Sequence, residues 1–207
     1  MTELPYGEFQ TAPLVLASQS PVRASLLRDA GLKITTTSAA IDERVVEAAM
    51  GSDVNGEDLA QVLAEAKAGD VSPRFADTMI IGADQTLTCE GQTLHKADSD
   101  EDLRRKLLWL SGRTHTLHAA IAVVRNGETI WRHTDQAQMR MRKLSPEFIG
   151  RYVAETLPES LCSVGGYQLE GIGSQLFEQI EGDYFTILGL PLLPLLAWLR
   201  AENVLMS

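Results

Sequence analysis

Cysteine is nearly absent: Cys89 and Cys162 are the only two in 207 residues. They lie far apart and form no CxxC pair, which argues against a disulfide framework or a cysteine zinc site, so a reduced, cytoplasmic setting is expected. Positive charge is in deficit, 18 Lys and Arg against 28 Asp and Glu, giving a net charge of -10. Broad binding to nucleic acid or to an anionic membrane needs a basic surface, so neither partner is expected and any phosphate site must be a local exception. Long apolar runs are missing too. The longest, LGLPLLPLLAWL (188–199), is too short to span a bilayer and holds two prolines. It is expected to be a buried helix entered at Pro191 or Pro194.

The opening MTELPYGEFQTAP has neither a basic n-region nor an apolar h-region, so a standard secretory signal is not expected. Residues 1–12 are expected to form a mobile tail. No GxxxxGK[ST] or GxSxG occurs, and GIGS (171–174) lacks the third glycine of a dinucleotide fingerprint. P-loop, hydrolase-elbow and Rossmann readings therefore fall away. With no linker, repeat or low-complexity segment, 13–207 is expected to be one α/β domain.

What is present reads as alternating strands and helices. LVLA (14–17) is a short buried strand, and Ser20 and Pro21 are the N-cap and first residue of a helix with Leu26, Leu27 and Ala30 inward, ended by Gly31. KITTTSA (33–39) is β-branched and extended. Leu59, Val62, Leu63 and Ala66 recur at helical spacing and bring Lys67 near a helix end. TMIIGAD (78–84) is an apolar strand ending in an acid, followed by a hairpin through Glu90-Gly91 into Gln92–Leu94. A helix follows from Asp98, Ser99 and Glu101 to Leu110, with Arg104-Arg105-Lys106 on its solvated face. The Asn126-Gly127 turn joins strands 114–124 and 129–141, Ser145-Pro146 opens another helix, and DYFTIL (183–188) reads as a short strand.

Chemistry is less sharply written. His115 and His118 point to opposite faces of a strand, and His95 and His133 have no partner at ligand spacing, so no histidine metal site is expected. Arg23 stands in the first turn of a helix whose free amides and dipole favour an anion, with Ser18 and Ser20 as hydroxyl donors. A Ser-Pro cap is also ordinary helix chemistry, and pattern alone leaves both readings open. Asp84, at the end of an apolar strand, lies where α/β sites form but also where acids make turns. Lys67 and Lys96 are surface lysines by default, although a polyphosphate pocket in so acidic a chain must gather such cations from separate segments.

Taken together, LASQSPVRASLL (16–27), IDER (41–44), AEAKA (64–68), IIGADQT (80–86), LHKADSDED (94–102), LSGRTH (110–115), GGYQLEGIG (165–173) and GDYFTILGLPL (182–192) resemble the Maf family of nucleotide pyrophosphatases. The resemblance implies an elongated α/β fold of the Maf/ITPase-like type, a mixed sheet flanked by helices in two lobes around a deep cleft, and a homodimer. It implies hydrolysis of a nucleoside triphosphate to the monophosphate and pyrophosphate with a divalent cation, Mg²⁺ or Mn²⁺. On this chain it implies Asp84, Lys67 and Lys96 as catalytic, Ser18, Arg23, Gln85 and Glu170 as substrate-binding beside Ser20, and Glu43, Asp84 and Glu170 as metal ligands. Gln85 and Glu170 are similar to the branch acting on 7-methyl-GTP rather than the one acting on dTTP and UTP. Val22 stands where that branch has Trp, and LHKA replaces Gly-Lys-Pro. A non-catalytic nucleotide-binding regulator of cell division is the alternative of another class.

Overall fold

The computed structural model describes residues 9–51 and 54–206. Seven strands form one mixed sheet: β1 (Leu14–Ala17), β2 (Ile34–Thr37), β3 (Met79–Cys89), β4 (Gln92–Leu94), β5 (Thr114–Arg125), β6 (Glu128–Met141) and β7 (Phe177–Glu181). Their order is β2-β1-β3-β5-β6-β7, with β4 also on β3. β1 runs parallel to β2 and β3, and every other pairing is antiparallel. The helices are α1 (Pro21–Asp29), α2 (Glu43–Met50), α3 (Gly56–Val71), α4 (Asp100–Leu110), α5 (Pro146–Thr156), α6 (Tyr184–Ile187) and α7 (Leu192–Ala201). None is long and apolar enough to cross a membrane among the described residues.

Local chemistry accounts for most boundaries. The Ser20 side chain accepts from the amide of Arg23, and Pro21 takes the first helical position, so α1 starts where the sequence expects. Its inward face is Ala24 and Leu27, whereas Leu26 is half-buried and Ala30 exposed. Asn126 and Gly127 adopt φ of 52° and 83°, the left-handed pair that a two-residue hairpin with the right twist requires. Burying Leu103, Leu107 and Leu110 completely pins α4, each worth roughly 2 kcal/mol against exposure.

α3 differs from expectation in a way that matters for the site. Val62 is exposed, and the buried face consists largely of small residues. Ala60 and Ala64 meet Ala120 and Ala122 of β5, while Ala68 packs with Val15, Ala17 and Ile80. Alanine against alanine lets helix and sheet approach closely. Gly82 completes the contact, since a Cβ there would drive into the Ala64 carbonyl and lie 2.9 Å from the Ala68 nitrogen.

Three further expectations are corrected. DYFTIL is not a strand: the Asp183 side chain accepts from the Thr186 amide and closes the helical turn of α6, overriding the β-propensity of its aromatic and branched residues. The strand lies earlier, as β7, where Phe177–Glu181 pairs with the free edge of β6. Lys106 does not point from a solvated face but donates to backbone carbonyls. Of the expected tail, residues 1–8 lie outside the described residues. Residues 9–12 are tied down by hydrogen bonds although Phe9 and Thr11 are exposed: Gln10 is fully buried, bridges to Leu205 and donates to the carbonyls of Ala12 and Lys33.

Two large cores share the sheet. One gathers Leu14, Leu27, Ile81, Ile121, Leu195 and Leu199 beneath α1 and α7. The other gathers Leu87, Leu103, Leu107, Leu117, Met139 and Tyr152 beneath α4 and α5. β3 and β5 feed both, and on β3 the residues between Ile81 and Leu87 lie where the two lobes part.

Candidate active site

The edge of β3 explains why a cleft opens there. β1 pairs with Met79–Gly82 and β4 with Leu87–Cys89, while β5 covers the other edge from Ile80 to Thr88. Ala83–Thr86 therefore have no strand partner on one side, an interruption at the kind of position where α/β sheets take ligands. A cleft of about 820 Å³ occupies it. Strand alternation sends Asp84 to the face of α3 and Gln85 to the face of α6, so the cleft reaches both sides of the sheet. Asp84 does not end the strand, as expected, but sits in its middle, 6% exposed.

All nine residues expected at a catalytic, substrate or metal position line this cleft. Ser18, Ser20 and Arg23 come from the β1–α1 turn, Glu43 from the start of α2, and Lys67 from α3. Asp84 and Gln85 come from β3, Lys96 from the β4–α4 connection, and Glu170 from the glycine-rich segment.

At the centre is Lys67, whose Nζ lies 2.6 Å from Glu43 Oε1 and 2.5 Å from Asp84 Oδ1. A buried carboxylate such as Asp84 is tolerated because it is paired. Burial opposes ionisation of Glu43, but the hydrogen bond and charge of Lys67, with the charges of Lys96 and Arg23, outweigh it and hold the carboxyl below its ordinary value.

Arg23 is held rather than free. Its Nε donates to the Gly189 carbonyl at 2.8 Å, and its Nη1 to the Ala83 carbonyl at 2.9 Å and Ser18 Oγ at 3.4 Å. The Ala83 bond fills part of the interrupted β3 edge. Burial pulls its pKa down, opposed by Asp84 and Glu43, yet a guanidinium stays charged. Three of its five donors are engaged, which leaves Nη2 for an anion. Ser18 Oγ also accepts from the Ser20 amide at 3.1 Å, and Ser20 Oγ caps α1. Gln85 Nε2 donates to the Thr186 and Ile187 carbonyls, both at 3.0 Å. Its amide is thereby oriented, and only the carbonyl oxygen remains as a hydrogen-bonding group for a ligand.

The expected metal trio is not assembled. Among the described residues no three His, Cys, Asp or Glu side chains are grouped as a metal set; Glu43 and Asp84 converge through Lys67, and Glu170 is not gathered with them. His115 bonds Tyr167, His118 bonds Thr88, and His95 lies 3.6 Å from Glu47. Sequence reasoning missed Arg44, Glu47, His95 and Tyr167 as cleft residues. Glu47 was within reach, since it stands four residues after Glu43 and shares its helix face.

The family described as "Maf-like protein" matches residues 13–202. A "7-methyl-GTP pyrophosphatase" from Brucella abortus is 53% identical over 194 residues, covering 93% of this chain and 98% of its own. A "nucleoside triphosphate pyrophosphatase" from Nitrobacter winogradskyi is 51% identical over 193 residues, 93% of this chain and 95% of its own. Among solved structures, a nucleoside-triphosphatase / dITP/XTP pyrophosphatase from Mycobacterium abscessus has a TM-score of 0.38 at 17% identity, over 70% of this chain and 99% of its own. The match from 13 to 202, with relatives above half identity along nearly their whole length, places the chain in the Maf-like protein family.

Proposed function

We propose that this chain hydrolyses a nucleoside triphosphate between its α and β phosphates, releasing the monophosphate and pyrophosphate, and that a guanine-type base, 7-methylguanine included, is preferred. The observation that carries the reading is the convergence of Arg23, Lys67 and Lys96 with the buried Asp84 in one cleft at the interrupted β3 edge. In a chain of net charge -10, the cleft sets the cations Arg23, Arg44, Lys67 and Lys96 among the carboxylates of Glu43, Glu47, Asp84, Asp98 and Glu170, a mixed lining that matches a polyanion bound together with a divalent cation. The names of the relatives agree with it.

In this reading the phosphates lie against the amides of α1 and the cations, which offset charge on the leaving pyrophosphate. A bound phosphate competes with Glu43 and Asp84 for the Lys67 ammonium. Asp84, relieved of part of that pairing, orients or deprotonates the attacking water in line with the leaving oxygen. A divalent cation, Mg²⁺ or Mn²⁺, would be held by Glu43 and Asp84, hard oxygen donors that both contact the Lys67 ammonium and are freed as that ammonium turns to the phosphates; Mg²⁺ is commonly held by one or two carboxylates plus substrate phosphates. When bound, it supplies charge neutralisation. Glu170, apart from that pair, serves substrate rather than metal.

The base preference rests on Gln85. Its oriented amide presents an acceptor that can take both adjacent N–H donors on the pairing edge of guanine, whereas adenine and cytosine offer only their amino group there. Val22 lines the cleft without an aromatic ring, so a cationic base gains no cation–π contact from it.

The test is an assay of the purified protein with canonical and 7-methylated nucleoside triphosphates plus Mg²⁺ or Mn²⁺, reading pyrophosphate and orthophosphate separately. Pyrophosphate release is expected, fastest with guanine-type substrates, and Asp84→Asn should lower it by roughly 10²–10⁴-fold. Orthophosphate as product, binding without turnover, or full activity in Asp84→Asn would each overturn the reading.

A further inference from the structure

One cation beside the cleft takes no part in this chemistry. Lys106 lies in α4, in a basic run where Arg105 behaves as a solvated side chain, exposed and paired with Glu101 and Asp102 of its own helix. The Lys106 ammonium instead donates to two backbone carbonyls, those of His95 and of Val164, the latter at 3.3 Å. Burial lowers its pKa, and Asp102 and Asp98 oppose that by charge.

Those two carbonyls belong to different segments lining the cleft. His95 directly precedes Lys96, and Val164 lies in the stretch of lining residues that runs from Cys162 to Glu170. The ladder that fixes β4 stops at Leu94, and residues 95–97 make no backbone–backbone hydrogen bond among the described residues. Ala97 is buried and the Asp98 amide donates to Asp102 Oδ2 at 3.4 Å, but at His95 itself the hydrogen bond given for the main chain among the described residues is the one its carbonyl accepts from Lys106. α4, by contrast, is fixed by three fully buried leucines. A donor on this helix that reaches both carbonyls ties the two segments to it and to each other.

We infer that Lys106 is a positioning residue: by bridging the His95 and Val164 carbonyls it sets the reach of Lys96 towards the Asp84–Lys67 pair. The inference rests on the reading of Lys96 as a phosphate-binding cation. A lysine side chain is long and flexible, so a main-chain shift of about 1 Å at its root misplaces its charge on the phosphates, and misplacements of that size cost up to about a hundredfold in rate. Lys106 exchanges no proton and touches no substrate. It acts through Lys96.

A double-mutant cycle tests this on pyrophosphate release. Lys106→Met keeps the apolar stem and removes the ammonium, and kcat/KM should fall by about tenfold or more while circular dichroism shows a folded protein. Lys106→Arg, which keeps donors for both carbonyls, should recover most of it. In a Lys96→Met background, Lys106→Met should have no further effect, because the group it positions is gone. Multiplying losses in the double variant, or full activity in Lys106→Met, would overturn the inference and leave the proposed function standing. An unimpaired Lys96→Met would overturn it at its premise. Should Lys106→Met fail to fold, Lys106→Gln, which retains one donor group, takes its place in the same cycle with the same outcomes.

Discussion

His115 stays neutral in the folded protein under conditions where it would be charged in an unfolded chain. It is 1% exposed, bonds Tyr167 Oη at 2.6 Å and lies near the rings of Tyr167 and Phe177. Burial lowers its pKa from 6.5 to about 4. The sign follows directly: between those values the unfolded chain binds a proton that the native state refuses, so stability is full above pH 6.5 and falls as the pH drops towards 4. At about 1.4 kcal/mol per unit, the loss is roughly 3 kcal/mol. Urea unfolding between pH 4 and 7 should show that slope, and His115→Gln should remove most of it, the remainder belonging to His118, whose pKa burial also lowers; equal slopes in both proteins would refute the assignment. Tyr167 belongs to the segment bearing Glu170, so acid loosening of this pair reaches the cleft. At this scale the sequence was legible where chemistry is local. Ser20 and the first-turn place of Arg23 could be read because a cap depends on neighbours within a few residues, although the Arg23 guanidinium is then fixed by the distant carbonyls of Ala83 and Gly189. The Gln85 amide and the Lys106 ammonium could not, since what fixes them are carbonyls of Thr186, Ile187 and Val164, far off in sequence.

Among the elements, α3 shows how packing sets chemistry. Lys67 lies between Ala64 and Ala68, the two residues against which Gly82 closes, and two positions beyond Gly82 stands Asp84. The ion pair at 2.5 Å therefore depends on a helix–strand approach that admits no extra carbon. Gly82→Ala should overpack that contact, lowering stability by about 1–3 kcal/mol. It should also lower kcat/KM beyond what the unfolded fraction explains, because the clash falls in the helical turn that carries Lys67. Chemical denaturation and steady-state pyrophosphate release on the same preparation measure both, and a variant with unchanged midpoint and activity would show the approach to be slack. The helices with Ser caps and the Asn-Gly hairpin were readable because their signals are short and specific. DYFTIL misled because β-prone side chains outweigh, on paper, one aspartate that closes a turn.

For the whole molecule, the decisive feature is that β3, β5 and β6 run through both lobes, at 11, 12 and 14 residues. No sequence pattern announced the interruption of the β3 edge, because it depends on where β1 and β4, strands far apart in the chain, happen to stop. The same continuity constrains how the protein unfolds. Trp109 packs against the core beneath α4 and α5, while Trp131 and Trp198 stack at 5.2 Å in the other lobe. A defect in one core should therefore be felt by probes in the other, since neither lobe retains its strands once its neighbour melts. Leu107→Ala, at a fully buried position, should cost about 2–5 kcal/mol and lower the midpoint by roughly 5–15 °C. In a Trp109→Phe background, where fluorescence arises only from the lobe without the defect, the Leu107→Ala shift should match that in a background lacking Trp131 and Trp198. If the Trp131–Trp198 signal kept its original midpoint while the Trp109 signal fell, the lobes would unfold separately, and the cleft would lie between two units that move independently. Coincident shifts would mean that the sheet holds Asp84, Lys67 and the Lys96 segment in one cooperative unit.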